Sequence, residues 1–224
     1  MHEQYRGRHL NFSDTAVASV FDRYEKRAVE ERRLMQELPP EEGLPRRDEF
    51  LLPIGRAGGA FLHSLIVAMR PAQILELGTS YGYSTLFLAD AAKQSGSRLV
   101  TMELADYKQE HARTMITEAG LADVVDFRLG DAVEMIRELH DPIDFVLLDI
   151  WKELYVPCFN AFYPKLADEG IIAADNMIEP DMERPEVRKY RTVLRLKPDL
   201  HTTLLPIGSG IELTTRWQAG NKKL

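Results

Sequence analysis

The sequence predicts an α/β fold on a doubly wound, mostly parallel sheet, and three observations predict it. Five short strand-like runs, Gln73 to Leu77, Leu99 to Glu103, Val124 to Leu129, Phe145 to Asp149 and Gly170 to Asp175, alternate with four stretches of helical apolar spacing, the order that right-handed crossovers between parallel strands require. The first run stops at a turn carrying Gly78 and Gly82 and leads into Ser84 to Ala89, a strand, turn and helix of the kind that faces a ligand crevice. The last two runs, His201 to Pro206 and Ile211 to Trp217, flank Ile207-Gly208-Ser209-Gly210 and read as an antiparallel hairpin added to one sheet edge.

In chain order, Ala16, Val17, Val20, Phe21, Tyr24, Ala28, Leu34 and Met35 recur at helical spacing between Ser13 and Leu38. This predicts one or two extra N-terminal helices, with Ser13 or Asp14 as cap and Pro39-Pro40 as stop. The segment is placed to cover the crevice or to form a subunit contact, and the residues alone do not choose. A loop from Pro39 to Pro45 and a helix from Arg56 to Met69 precede the sheet. The crossover helices are expected at Ser84 to Lys93, Asp106 to Ala119, Ala132 to Leu139 and Tyr155 to Leu166, with a last helix near Pro185 to Leu196.

At 224 residues the chain suits one domain, residues 1–224, with 1–49 as a helical extension within it. A net charge of -7 argues against nucleic acid or anionic membrane as a bulk partner. The single cysteine, Cys158, and a start without a secretory apolar core point to the cytoplasm.

Four of the five strands end in an acid: Glu76, Glu103, Asp149 and Asp175, while Gly130-Asp131 follows the third. Such residues line one rim of a doubly wound sheet, although any one of them serves equally as a solvated charge or a cap. Asp131 with Glu134 also forms a capping box. Counting from Gly78, Ser80 and Tyr83 occupy the later glycine places of a dinucleotide fingerprint, which disfavours a nicotinamide cofactor. A carboxylate just before the turn, Glu76, instead suits a cationic ligand such as the methionyl end of S-adenosylmethionine, and Glu103 stands where a carboxylate meets ribose hydroxyls.

Asp149, Asp175 and Asn176 offer two carboxylates and an amide oxygen to a hard divalent cation, Mg²⁺ above all, if their strands are neighbours. An Asp-Asn turn without an ion is the alternative. Lys152 follows on the same rim, where a nearby cation would lower its pKa toward that of a general base, and Trp151 would wall a flat substrate or join the core.

Glu76-Leu77-Gly78-x-x-x-Gly82-Tyr83-Ser84, Leu148-Asp149-x-Trp151-Lys152-x-x-Tyr155 and Ala174-Asp175-Asn176 together resemble the cation-dependent O-methyltransferases, the group of catechol and caffeoyl-coenzyme A O-methyltransferases. The resemblance runs from about Phe50 to Trp217. It implies a Rossmann-like sheet and S-adenosylmethionine as methyl donor, held near Ile54, Glu76, Gly78, Ser84 and Asp149, with its ribose at Glu103 and its adenine beside Asp131 and Ala132. It also implies a metal on Asp149, Asp175 and Asn176, Lys152 as base, a small aromatic hydroxyl substrate flanked by Phe50, Trp151 and Pro180, and a homodimer. One departure is visible: the catechol enzymes hold the second hydroxyl with a glutamate before the last strands, and between Pro198 and Ser209 this chain has only Asp199. A tRNA hydroxyuridine O-methyltransferase, a nicotinamide-dependent oxidoreductase and a non-catalytic adenosyl-ligand binding protein are the rival readings.

Overall fold

The computed structural model describes residues 12–39, 41, 46–140 and 142–217. Most of the loop expected over 39–45 and the start of the N-terminal extension lie outside the described residues. Asp14 caps a single helix, α1 (Thr15–Glu37), its carboxylate accepting from the N–H of Ala16 at 2.8 Å and of Val17 at 3.4 Å. Leu38 turns extended ahead of Pro39, as the residue before a proline does. The alternation then follows: α2 (Gly55–Met69), β1 (Gln73–Leu77), α3 (Tyr83–Ser95), β2 (Arg98–Glu103), α4 (Asp106–Glu118), β3 (Val125–Leu129), α5 (Ala132–Arg137), β4 (Ile143–Leu148), α6 (Tyr155–Phe162), β5 (Leu166–Ala174), α7 (Pro185–Arg195), β6 (Leu200–Leu205) and β7 (Ile211–Arg216).

The strands form one sheet in the order β3-β2-β1-β4-β5-β7-β6. β1 to β5 are parallel, and β7 runs antiparallel to both β5 and β6. The expected hairpin is therefore present, with its second strand inside and its first at the edge. The order reverses between β1 and β4, the switch point where a crevice opens beyond the carboxyl ends of the strands.

Strand pleating divides the core. Ile74, Leu99, Phe145 and Leu147 pack toward α1, α2, α3 and α4, while Leu75, Leu77, Val100, Met102, Val146 and Leu148 pack toward α5, α6 and α7. Residues that alternate along each strand thus feed two apolar layers, one on each side.

Two boundaries differ from expectation by four residues. α6 stops at Phe162, because the proline in the 3₁₀ turn Tyr163–Lys165 cannot donate to a continuing helix. β5 begins at Leu166 instead of Gly170, since its first stretch pairs only at Ile143 with Leu166 before the register shifts to Phe145 with Ile171. The unpaired Asp168 and Glu169 are exposed and carry no strand signal.

Candidate active site

A cavity of about 300 Å³ lies at the switch point. Its floor is the turn after β1, where Gly78 has φ of +97° and a Cβ there would stand 2.1 Å from the Asp149 carbonyl oxygen. Only glycine lets the ends of β1 and β4 approach this closely. Gly78→Ala should cost about 3 kcal/mol, combining left-handed strain and overpacking, and should lower the urea midpoint accordingly.

Glu76 faces the α3 side of the sheet and is fully buried. Its carboxylate accepts from the hydroxyls of Ser84 at 2.6 Å, Thr85 at 2.7 Å and Thr101 at 2.7 Å. Burial pushes its pKa up to about 7 against those three hydrogen bonds, with the Asp149 charge adding to the rise. Such a caged charge orients the start of α3 and offers negative potential to a cation in the cavity.

Glu103 joins the neighbouring loops: one oxygen accepts from the Ser80 N–H at 2.8 Å, the other from Leu104 at 2.9 Å and Ala105 at 3.0 Å. Asp131 caps α5 through Glu134 N–H at 3.0 Å. Both carboxylates border the cavity, as does the buried Ala132.

At the opposite end, β4 and β5 are hydrogen-bonded neighbours, so Asp149 and Asp175 follow adjacent strands. The Asp175 N–H donates to Leu148 O at 3.1 Å, and its carboxylate is buried with neither oxygen hydrogen-bonded among the described residues. Burial, then the Asp149 charge, drives its pKa up to about 8. Asn176 takes a left-handed backbone, φ 53°, and lines the cavity. Orphaned oxygens of this kind, beside a second carboxylate and an amide, are a donor set that a hard cation fits. Among the described residues no group of three or more His, Cys, Asp or Glu converges on a metal site; the set here has two carboxylates and one amide.

Lys152 opens the 3₁₀ turn Lys152–Leu154. Its Nζ donates to Ile150 O at 3.1 Å and to the Tyr155 hydroxyl, and stands 3.8 Å from Asp149 Oδ1. The Tyr155 hydroxyl lies 2.9 Å from Leu148 O and 3.0 Å from Asp175 O, which ties the lysine to the ends of both strands. Burial lowers the Lys152 pKa, Arg184 and Arg47 lower it further, and Asp149 and Asp175 oppose them.

The cavity therefore brings together Ile54, Gly78, Ser84, Glu103, Asp131 and Ala132 with Phe50, Asp149, Trp151, Lys152 and Asn176. Glu76 and Asp175 sit behind its wall, and Pro180 is exposed and off it. Asp199 is engaged elsewhere, accepting from Tyr163 at 2.6 Å and Arg216 at 2.8 Å. Sequence reasoning missed Thr101, Tyr155 as the lysine's anchor, and Arg47 and Arg184 on the cavity wall.

α1 packs against the turn after β1: the Tyr24 hydroxyl donates to Tyr81 O at 2.6 Å, and the Arg27 guanidinium lies 3.9 Å from the Tyr81 ring centre.

A family model described as O-methyltransferase matches residues 25–217. Caffeoyl-CoA O-methyltransferase 1 of Arabidopsis thaliana is 30% identical over 179 residues, covering 70% of this chain and 69% of that protein. Catechol O-methyltransferase of Mus musculus is 32% identical over 139 residues, 59% of this chain and 52% of that one. An O-methyltransferase from Bacillus cereus, solved in complex with SAH, shares the fold with a TM-score of 0.74 at 24% identity, over 95% of this chain and 96% of that one. TomG from Streptomyces achromogenes, solved in complex with SAM, gives 0.71 at 24% identity, over 93% and 92%.

Proposed function

We propose, for a chain that belongs to the O-methyltransferase family and so works with S-adenosylmethionine, that it moves the methyl group to a hydroxyl of a vicinal diphenol with the help of a divalent cation. The observation that carries this reading is the buried Asp175 carboxylate, without a hydrogen-bond partner among the described residues, next to Asp149, Asn176 and Lys152. Asp149, Asp175 and Asn176 would hold the cation, Mg²⁺ being the best match to oxygen donors. When bound, it supplies charge stabilisation for the ionised acceptor oxygen.

The chain's own residues do the rest. Lys152, its ammonium form disfavoured by burial, takes the proton of the acceptor hydroxyl onto Nζ. The oxygen lone pair then forms the new bond to the methyl carbon as the carbon–sulfur bond breaks. That electron pair returns to sulfur, leaving a neutral thioether. Glu76, Glu103 and Asp131 hold and orient the donor, and Phe50 and Trp151 hold the ring, so that nucleophile and methyl meet in line. The same reading takes the protein as one catalytic domain and a cytoplasmic homodimer, for which the buried Cys158 and the resemblance are the grounds.

The test is a panel of vicinal diphenols incubated with the methyl donor, with and without Mg²⁺, and read by mass. A gain of one methyl group that requires Mg²⁺ is the expected result. Equal yields with Mg²⁺ and with chelator would overturn the cation, and methylation of bulk tRNA instead of diphenols would overturn the acceptor.

A further inference from the structure

We propose that Arg47 and Arg184 select an acceptor whose aromatic ring carries a carboxylate, so that hydroxylated aromatic acids are methylated in preference to neutral or cationic diphenols. The inference rests on the acceptor reading above and deepens it.

Both guanidiniums line the cavity at the end formed by Trp151, Lys152 and Asn176. Arg47 stands in the short turn Arg47–Glu49, with its Cζ 5.9 Å from the centre of the Trp151 ring. A substrate ring against that indole would bring its substituent within reach of the guanidinium. Arg184 reaches the same end from the start of α7, bonded to the carbonyl oxygens of Asn176 at 2.5 Å, Glu179 at 3.0 Å and Asp181 at 2.8 Å. Those acceptors are neutral, and neither arginine forms an ion pair among the described residues. The donor-side cation of the cavity, Lys108, is by contrast paired with Asp48.

Two half-buried cations without a counter-charge among the described residues leave this end of the cavity short of negative partners. On the reading above, the same end receives a divalent cation beside a sulfonium. The acids there, Asp149 and Asp175, are committed to the lysine and the cation. The two guanidiniums, without an ion pair among the described residues, add positive charge beside that cation and sulfonium. They appear in a chain whose net charge is -7, so excess basicity of the surface does not account for them. A carboxylate on the acceptor resolves the imbalance, and the guanidinium fork matches its two oxygens in a way an ammonium does not.

The experiment compares kcat/KM for 3,4-dihydroxybenzoate, its methyl ester and 3,4-dihydroxyphenethylamine with Mg²⁺ present, in the wild type, Arg47→Gln and the Arg47→Gln/Arg184→Gln double variant. The acid should exceed the ester by about tenfold or more, as a charge-assisted contact implies, with the amine lowest. The acid-to-ester ratio should fall toward one in the variants, chiefly through KM. Since Arg184 also holds the Asn176 carbonyl, Arg47→Gln is read first. An ester turned over as well as the acid by the wild type, or a ratio unmoved by the double variant, overturns the inference alone. No methylation of any of the three overturns the acceptor reading itself.

Discussion

Lys152→Met should lower kcat for methyl transfer about 10² to 10⁴-fold, the usual worth of a positioned proton acceptor, while the Kd for S-adenosylmethionine changes little. Lys152→Arg should be nearly as inactive, because a guanidinium stays protonated at any working pH. The pH profile makes the assignment sharper. Burial holds the Lys152 pKa below the ordinary lysine range, and the base must be neutral to act. Wild-type kcat should therefore rise with pH through a limb lying below that range, and the limb should vanish in Lys152→Met. A variant that kept both its rate and its pH limb would remove Lys152 from the chemistry.

Asp175→Asn should separate activity from stability. Burial and the Asp149 charge push its carboxyl pKa up to about 8 in the folded protein, against about 4 for an ordinary carboxyl when unfolded. Between those values the native state retains a proton that the unfolded state has released, so this group makes folding less favourable as pH climbs through that window. With chelator at pH 8, the neutral amide should stabilise the fold by on the order of 2 kcal/mol, the scale of an unpaired buried polar group. Mg²⁺ should raise the wild-type Tm and leave the variant's unmoved, and Mg²⁺-dependent transfer should drop by about 10²-fold or more. Urea denaturation in chelator and in Mg²⁺ checks both halves. A variant less stable in chelator and still responsive to Mg²⁺ would contradict the donor set.

The parts of the fold legible in the sequence are those with a strong period. β1 carries three aliphatic residues in five, Ile74, Leu75 and Leu77, and is buried along its whole length, and α1 shows its buried face at three- and four-residue spacing. The early part of β5 was illegible because Asp168 and Glu169 point to solvent in a stretch with little pairing. Among candidate site residues, strand-end acids were legible because strand order turns sequence position into a place on one rim. Their environments were not: that Glu76 is caged by three hydroxyls and that Asp175 is buried without a hydrogen-bond partner among the described residues are consequences of tertiary packing. Arg47 and Arg184 gave no signal, since a charged residue in a loop is ordinarily solvated and only the cavity distinguishes these two. Tyr155 belonged to a recognised motif, yet its tie to both strand ends depends on the parallel pairing of β4 with β5.

The seat of α1 has a corollary for anyone trimming the protein. Its tyrosine satisfies a carbonyl in the turn after β1, which we propose cradles the methyl donor, and its apolar stripe completes the packing above α3. A shortened version beginning at α2 would thus bare an oily groove and, on the proposed reading, loosen the donor's seat at once. The leading helix is a structural wall of the enzyme, inseparable from its working parts.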